Sequence, residues 1–274
     1  MAGLLITGSS GYLGGELARQ APDATGTYLS ATRPRAVQLD VRDPAAVARL
    51  MRDRRPEAVI HTAYREGGDE PAREVNVGGT GNIARAAGEV GARLVHVSTD
   101  LVFDGALGRP YAEDDPPRPL LEYGRQKLAG EQAVREALPS ALVVRTSLIY
   151  GGAEPSRHER LVLDAADRRA SARFFRDELR SPVQVGDLAA ALLELASSDA
   201  AGILHVAGAD GVSRYEFARL VAAAAGRDPD VLESGLSADN PDPRPLDCRL
   251  DSSRARARVR VELRGVREVL SVPR

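Results

Sequence analysis

Lysine is almost missing from this chain: of its 37 basic residues all but one are arginine, and the exception is Lys127. Tryptophan is absent, and Cys248 is the single cysteine. One thiol excludes an internal disulfide and a cysteine metal cluster, which suits a reducing cytoplasm. Nothing near Cys248 in the sequence would activate it as a nucleophile. No apolar run approaches the roughly 20 residues of a membrane span, and Met1-Ala2-Gly3 runs directly into a strand-like Leu4-Leu5-Ile6-Thr7, leaving no room for a leader's basic and apolar regions. A net charge of −2, with arginines dispersed among nearly as many acids, gives no general attraction to nucleic acid or acidic membranes. No His/Asp/Glu spacing suggests zinc. The expectation is a cytoplasmic chain with no metal, whose partner is a small molecule; a homodimer is compatible with the sequence.

What is present is an alternation. Through residue 150, short aliphatic runs alternate with alanine-rich helical stretches, the pattern of a parallel sheet with crossover helices. Expected strands are Leu4 to Thr7, Thr25 to Leu29, Ala58 to Thr62, Arg93 to Ser98 and Ala141 to Thr146, in an α/β, doubly wound parallel sheet of Rossmann type. Asp43 is placed to cap, and Pro44 to begin, a helix through Arg54. A further helix is expected over Asp187 to Ala196, and Ser213-Arg214-Tyr215-Glu216 reads as a capping box opening a helix through Ala225. Past 150 the alternation fades, and prolines gather at Pro241, Pro243 and Pro245. The expected division is a dinucleotide-binding domain over 1–150 plus about 183–200, and a smaller C-terminal substrate lobe over about 151–182 and 201–274.

The first strand enters Gly8-Ser9-Ser10-Gly11-Tyr12-Leu13-Gly14, a Gly-x-x-Gly-x-x-Gly turn leading into a helix. Gly8 permits the tight turn, Gly11 lets backbone approach a pyrophosphate, and Gly14 lets helix and strand pack closely, with the phosphate at the positive end of the helix. An NAD site usually places an acid at the end of the second strand to hold the ribose 2′-hydroxyl. Here Gly26-Thr27-Tyr28-Leu29-Ser30 has none. Ser30, Arg33 and Arg35 suit a 2′-phosphate instead, so NADP(H) is the expected cofactor. Asp40 and Val41 are placed to touch adenine, and Ala63 to line the cofactor's path.

Lys127 comes four residues after Tyr123, so on a helix the phenol and the ammonium share a face. Where the chain otherwise uses Arg, a retained Lys points to a compact cation that a planar guanidinium cannot replace. Upstream, Val97-Ser98-Thr99 ends a strand in hydroxyl residues, and in a parallel sheet that end faces the ligand crevice. Thr99, Tyr123 and Lys127 are thus the candidate catalytic set, with Ser98 structural or in contact with the cofactor.

With these motifs the chain resembles the extended short-chain dehydrogenase/reductase superfamily, and within it the dTDP-4-dehydrorhamnose reductases and their relatives. The resemblance runs through Val75-Asn76-Val77, Ser98-Thr99-Asp100, Val102-Phe103-Asp104-Gly105, Tyr123 to Glu131, Arg145-Thr146-Ser147, Tyr150-Gly151, Tyr215 to Arg219 and Arg244-Pro245. It implies hydride transfer from NADPH to the C4 ketone of a nucleotide-activated deoxysugar. Tyr123 would protonate the alkoxide, Thr99 would hydrogen-bond the same oxygen, and Lys127 would hold the nicotinamide ribose and lower the tyrosine's pKa. It also implies that Asp104 and Tyr150 face the substrate and that Asn76 supports the catalytic strand. Leu101 and Leu148 stand where these reductases carry aromatics.

Other residues are less distinctive. Arg244 either clamps a diphosphate or is a solvated loop residue. His61, His96 and His205 read as packed core histidines, and His158 as a residue of a polar loop. A non-catalytic nucleotide-binding regulatory subunit is the alternative of a different class, along with another ketoreductase of the superfamily. A dehydratase would show Asp-Glu after Thr99, and an epimerase an acid after the second strand; both are absent. If Ser30, Arg33 and Arg35 hold a 2′-phosphate, Arg33→Ala and Arg35→Ala should each weaken NADPH binding by about 1.5–3 kcal/mol and leave NADH binding unchanged in a titration. Equal loss for both cofactors would refute the assignment.

Overall fold

The computed structural model describes residues 3–30, 36–240 and 242–271. Arg33 and Arg35 therefore lie outside the described residues, as does Pro241. Among the described residues one seven-stranded sheet dominates, built from β1 (Leu4–Thr7), β2 (Thr25–Tyr28), β3 (Ala36–Gln38), β4 (Ala58–His61), β5 (Arg93–Thr99), β6 (Leu142–Thr146) and the strand Gly202–His205. From one edge the order is Gly202–His205, β6, β5, β4, β1, β2, β3, and every neighbouring pair is parallel. The chain reverses its direction of winding between β1 and β4, where an open α/β sheet forms its ligand crevice.

The sheet is covered on both faces, which is why its central strands are largely apolar. Leu4 and Ile6 turn to one face, packing with Leu13, Leu17, Leu188 and Leu192. Leu5 and Val59 turn to the other, against Val47, Met51 and Ile83. The two-residue period of a strand thus divides one short run between two cores. The helix Pro44–Arg54 opens as expected, with the Asp43 carboxylate accepting from the N–H groups of Ala45 at 2.9 Å and Ala46 at 3.0 Å. The helix Arg214–Ala224 makes only half of the expected capping box. The Ser213 hydroxyl accepts from Glu216 N–H at 3.0 Å, but the Glu216 carboxylate is drawn away to Arg267, 2.9 Å from its Nε.

A separate core gathers Tyr150, Val162, Phe174, Phe217, Val221 and Val266 beside the sheet. The strand Gly202–His205 is not part of it. It was expected in the smaller lobe, yet it pairs with β6 from Gly202 opposite Leu142 to His205 opposite Arg145, so the chain returns to the large sheet between two visits to the smaller core.

The glycine turn is held from below. Gly8 has φ +75°, and a Cβ there would stand 2.8 Å from the Ala63 backbone. At Gly14 the constraint is tighter, since a Cβ would lie 2.1 Å from the Gly8 carbonyl oxygen. Backbone cannot swing aside as a side chain does, so Gly14→Ala should destabilise the protein by about 1–3 kcal/mol and lower Tm in thermal denaturation. An unchanged Tm would show that helix and turn are not packed as described.

Candidate active site

At the carboxyl ends of the strands a cavity of about 700 Å³ joins the glycine turn to the candidate catalytic set. Its wall includes Gly11, Tyr12, Leu13 and Gly14 on one side and Ser98, Thr99, Tyr123 and Lys127 on another. The helix Tyr12–Gln20 begins here with no side-chain cap at Gly11 and no acid in its first turn. A helix that opens without a side-chain cap or an acid presents its positive end, which fits a dinucleotide pyrophosphate.

β5 delivers Thr99, and the helix Glu122–Ala137 delivers Tyr123 and Lys127. Gly124 lets that helix approach, since a Cβ there would be 2.1 Å from the Leu101 carbonyl oxygen. Lys127 is buried and its Nζ donates to the Val97 carbonyl at 2.7 Å. Burial pushes its pKa down to about 8, opposed by the Glu131 carboxylate one helical turn on. Glu131 also accepts from Ser98 Oγ at 2.5 Å and pairs with Arg145 at 2.7 Å, both partners being buried. Ser98 thereby ties the end of β5 to the helix of Tyr123 while also lining the cavity. Asn76 is tied to that same helix, donating to Gln126 Oε1 at 2.9 Å, and to the Arg65 backbone. It was expected to support the strand; it supports the helix instead.

The expected tuning of Tyr123 is reversed. Burial pushes the phenol up, and Tyr64 and Asp100 push it further in the same direction. With Lys127 bound to Val97, its charge does not offset this. A phenol so raised keeps its proton at neutral pH, as a donor must. Thr99 Oγ1 lies 3.2 Å from Asp100 Oδ1, and Ser147 Oγ donates to the other oxygen of Asp100 at 2.6 Å. Asp100 is buried, which raises its own pKa against the pull of Arg180. Sequence reasoning assigned no site role to Asp100, Ser147, Gln126 or Glu131. The signal for Glu131 was its place four residues after Lys127.

Several expected contacts do not reach the cavity. Val41 is buried in the core, where Gly79 leaves room for its side chain, and the half-buried Asp40 carboxylate is held by Arg42 at 2.7 Å. Ser10, Ser30 and Ala63 are also absent from the wall; Ala63 packs beneath Gly8, and Ser30 is exposed at the end of the described run after β2. Asp104, expected to face substrate, accepts instead from the Tyr111 hydroxyl at 2.6 Å and from Ala106 N–H at 3.1 Å, which closes a loop. Tyr150 is wholly buried against Phe217, at 5.6 Å between ring centroids, because the smaller core needs its ring. His61, His96 and His205 are buried. His61 bridges the hydroxyls of Thr7 at 2.6 Å and Thr80 at 3.1 Å, and burial holds its pKa down at about 3. His158 lies in the helix Arg157–Ala166 at the cavity wall, not in a loop. Burial pushes the Cys248 thiol up to about 12, which leaves it inert. Arg244 does line the cavity, paired with Glu178 and with its guanidinium 5.0 Å from the Phe175 ring centroid.

A glycine turn at the first crossover, a strand-end threonine and a Tyr-x-x-x-Lys helix around one crevice define a Rossmann protein of the extended short-chain dehydrogenase/reductase class. The chain belongs to the family described as the RmlD substrate binding domain, whose family model matches residues 1–272. It is 40% identical over 253 residues to a dTDP-4-dehydrorhamnose reductase of Mycobacterium tuberculosis, covering 88% of this chain and 82% of the relative. It is also 33% identical over 238 residues to methionine adenosyltransferase 2 subunit beta of Rattus norvegicus, covering 80% and 71%. Among solved structures, a dTDP-4-dehydrorhamnose reductase from Bacillus anthracis in complex with NADP superposes with a TM-score of 0.85 at 26% identity, covering 98% of this chain and 96% of that one.

The depressed pKa of Lys127 makes a prediction about stability. The folded chain holds this proton less tightly than the unfolded chain does, at about 8 against an ordinary 10.5, so a charged Lys127 costs stability below about pH 8, and the cost is relieved as pH rises towards 10.5. Lys127→Met should therefore raise Tm at pH 7, with a gain that shrinks across that window. A lower Tm at pH 7, or a gain independent of pH, would show that the buried ammonium is fully compensated.

Proposed function

We propose that the chain is an NADPH-dependent reductase that converts the C4 ketone of a dTDP-linked deoxysugar to an alcohol, as a dTDP-4-dehydrorhamnose reductase does. The observation that carries this reading is a single cavity in which an uncapped helix N-terminus stands beside a buried lysine, a protonated tyrosine and a strand-end hydroxyl. Residues 1–150 with 183–205 form the dinucleotide-binding part in this reading, and the remainder covers the sugar. Gly11 to Gly14 would hold the pyrophosphate and Lys127 the nicotinamide ribose. The bound cofactor supplies the hydride.

The chain's own residues manage the proton. As the carbonyl oxygen gains charge, Tyr123 donates its phenolic proton to it, and Thr99 donates a hydrogen bond to the same atom. Its raised pKa keeps Tyr123 protonated at neutral pH but makes it a weaker acid, so the proton moves only as the carbonyl oxygen takes on alkoxide character, a stronger base than the phenolate left behind. Lys127, turned to the Val97 carbonyl, is left to hold the nicotinamide ribose in this reading. Asp100 is held by Ser147 and Arg180 and so is not arranged as the mobile acid of a dehydratase.

NADPH oxidation measured in the presence of dTDP-4-dehydrorhamnose tests the reading. Wild type should turn over, and Tyr123→Phe should lose kcat by at least about a hundredfold with NADPH affinity nearly unchanged. Tight NADPH binding without turnover of this or other 4-keto sugar nucleotides would overturn the reading in favour of a regulatory subunit.

A further inference from the structure

Four arginines line the cavity, and they are not equivalent: Arg157 is paired with Glu66. Arg180 is fully used: Nη1 donates to the carbonyls of Leu179 at 2.7 Å and Leu246 at 2.9 Å, and Nη2 to that of Pro245 at 3.0 Å. Arg244 is answered by Glu178, which its Nε and Nη2 both contact. Arg214, the first residue of the helix Arg214–Ala224, lines the same wall, yet its guanidinium has no hydrogen-bond partner or carboxylate within ion-pair distance among the described residues.

The local charge does not balance. Glu178 is spent on Arg244, and it also receives the Ser237 hydroxyl at 3.3 Å. Asp100 is answered by Arg180, 3.8 Å away, and by the Ser147 hydroxyl. His158 faces Arg214, Arg157 and Arg180 as a neutral imidazole, its pKa held down at about 3 chiefly by burial. Desolvation pulls even the Arg214 guanidinium down to about 10, which still leaves it charged at neutral pH. A partly desolvated cation that Glu178 and Asp100 reach only from beyond ion-pair distance is costly, and an arriving anion recovers that cost.

We infer that Arg214, and not Arg244, is the residue that anchors the phosphate groups of the sugar nucleotide. The inference rests on the reductase reading for the identity of its ligand. The planar fork of Arg214 offers five donors to a diphosphate, while Arg244 acts through Glu178 and the Phe175 ring to shape the wall that Arg214 projects from.

Calorimetric titration with dTDP, dTMP and inorganic pyrophosphate separates the possibilities, because none of these carries the reacting ketone. Wild type should bind dTDP more tightly than dTMP. Arg214→Met should weaken dTDP binding by about tenfold to a hundredfold, abolish the preference over dTMP and leave NADPH binding unchanged, without lowering Tm. Arg214→Lys should recover part of the loss, and Arg244→Gln should cost less than Arg214→Met. Unchanged dTDP affinity in Arg214→Met, or a larger loss in Arg244→Gln, would overturn the assignment while leaving the reductase reading intact. Pyrophosphate binding that depends on Arg214, in a protein that does not bind dTDP, would keep the anchor and overturn the choice of substrate. Lost NADPH binding in Arg214→Met would mean that the residue only holds the fold, and would count against the anchor.

Discussion

An ammonium group buried beneath the end of β5 imposes more on this molecule than any other single contact. It has to be supported from several directions, because burial opposes its charge. The Val97 carbonyl and the Glu131 carboxylate supply that support, and Glu131 in turn holds Ser98 and Arg145. One carboxylate therefore fixes the strand that presents Thr99, the helix that presents Tyr123, and β6 behind them. Arg145 extends the arrangement to Phe103, lying 5.1 Å from the centre of its ring. The same ammonium helps to keep His61 and His96 neutral between β4 and β5. Replacing it by the chain's usual arginine would demand a wider space and a different set of acceptors.

The large sheet was legible because strands buried on two faces leave a plain mark. Leu4-Leu5-Ile6-Thr7 and Ala141 to Thr146 are apolar runs too short for helices, each set off by glycine, proline or a helical stretch. β3 was missed because Ala36–Gln38 is a half-exposed edge strand of three residues whose burial is too slight to pattern its sequence. Gly202–His205 was recognised as a family segment but assigned to the wrong layer, since four residues at a sheet edge do not say which sheet they join. Caps were read well where one side chain meets backbone, as at Asp43, and less well where a second partner competes, as Arg267 does for Glu216.

In the site, the legible residues were those whose role is local. Gly11 to Gly14 and the Tyr123–Lys127 pair depend on spacing along one turn or one helix, and the structure gathers them around one cavity. Residues whose role depends on a distant partner were not legible. Asp104 and Tyr150 carry the right chemistry for a sugar, but Tyr111 claims one and Phe217 the other. In the sequence Asp100 is merely the neighbour of Thr99, while its importance comes from Ser147, 47 positions away. Arg244 was open between a diphosphate clamp and a solvated loop residue, and the sequence does not show that Glu178 stands beside it.

The return of the chain to the sheet at Gly202–His205 bears on how such a protein can be divided. The smaller core draws Tyr150, Val162 and Phe174 from before that strand and Phe217, Val221 and Val266 from after it. It has no continuous sequence of its own, so no single cut would release it as a piece able to fold, and no simple fusion would graft it onto another nucleotide-binding domain. Changes in what the crevice accepts must therefore come by substitution in place, with every altered wall residue judged against a sheet that shares its polypeptide.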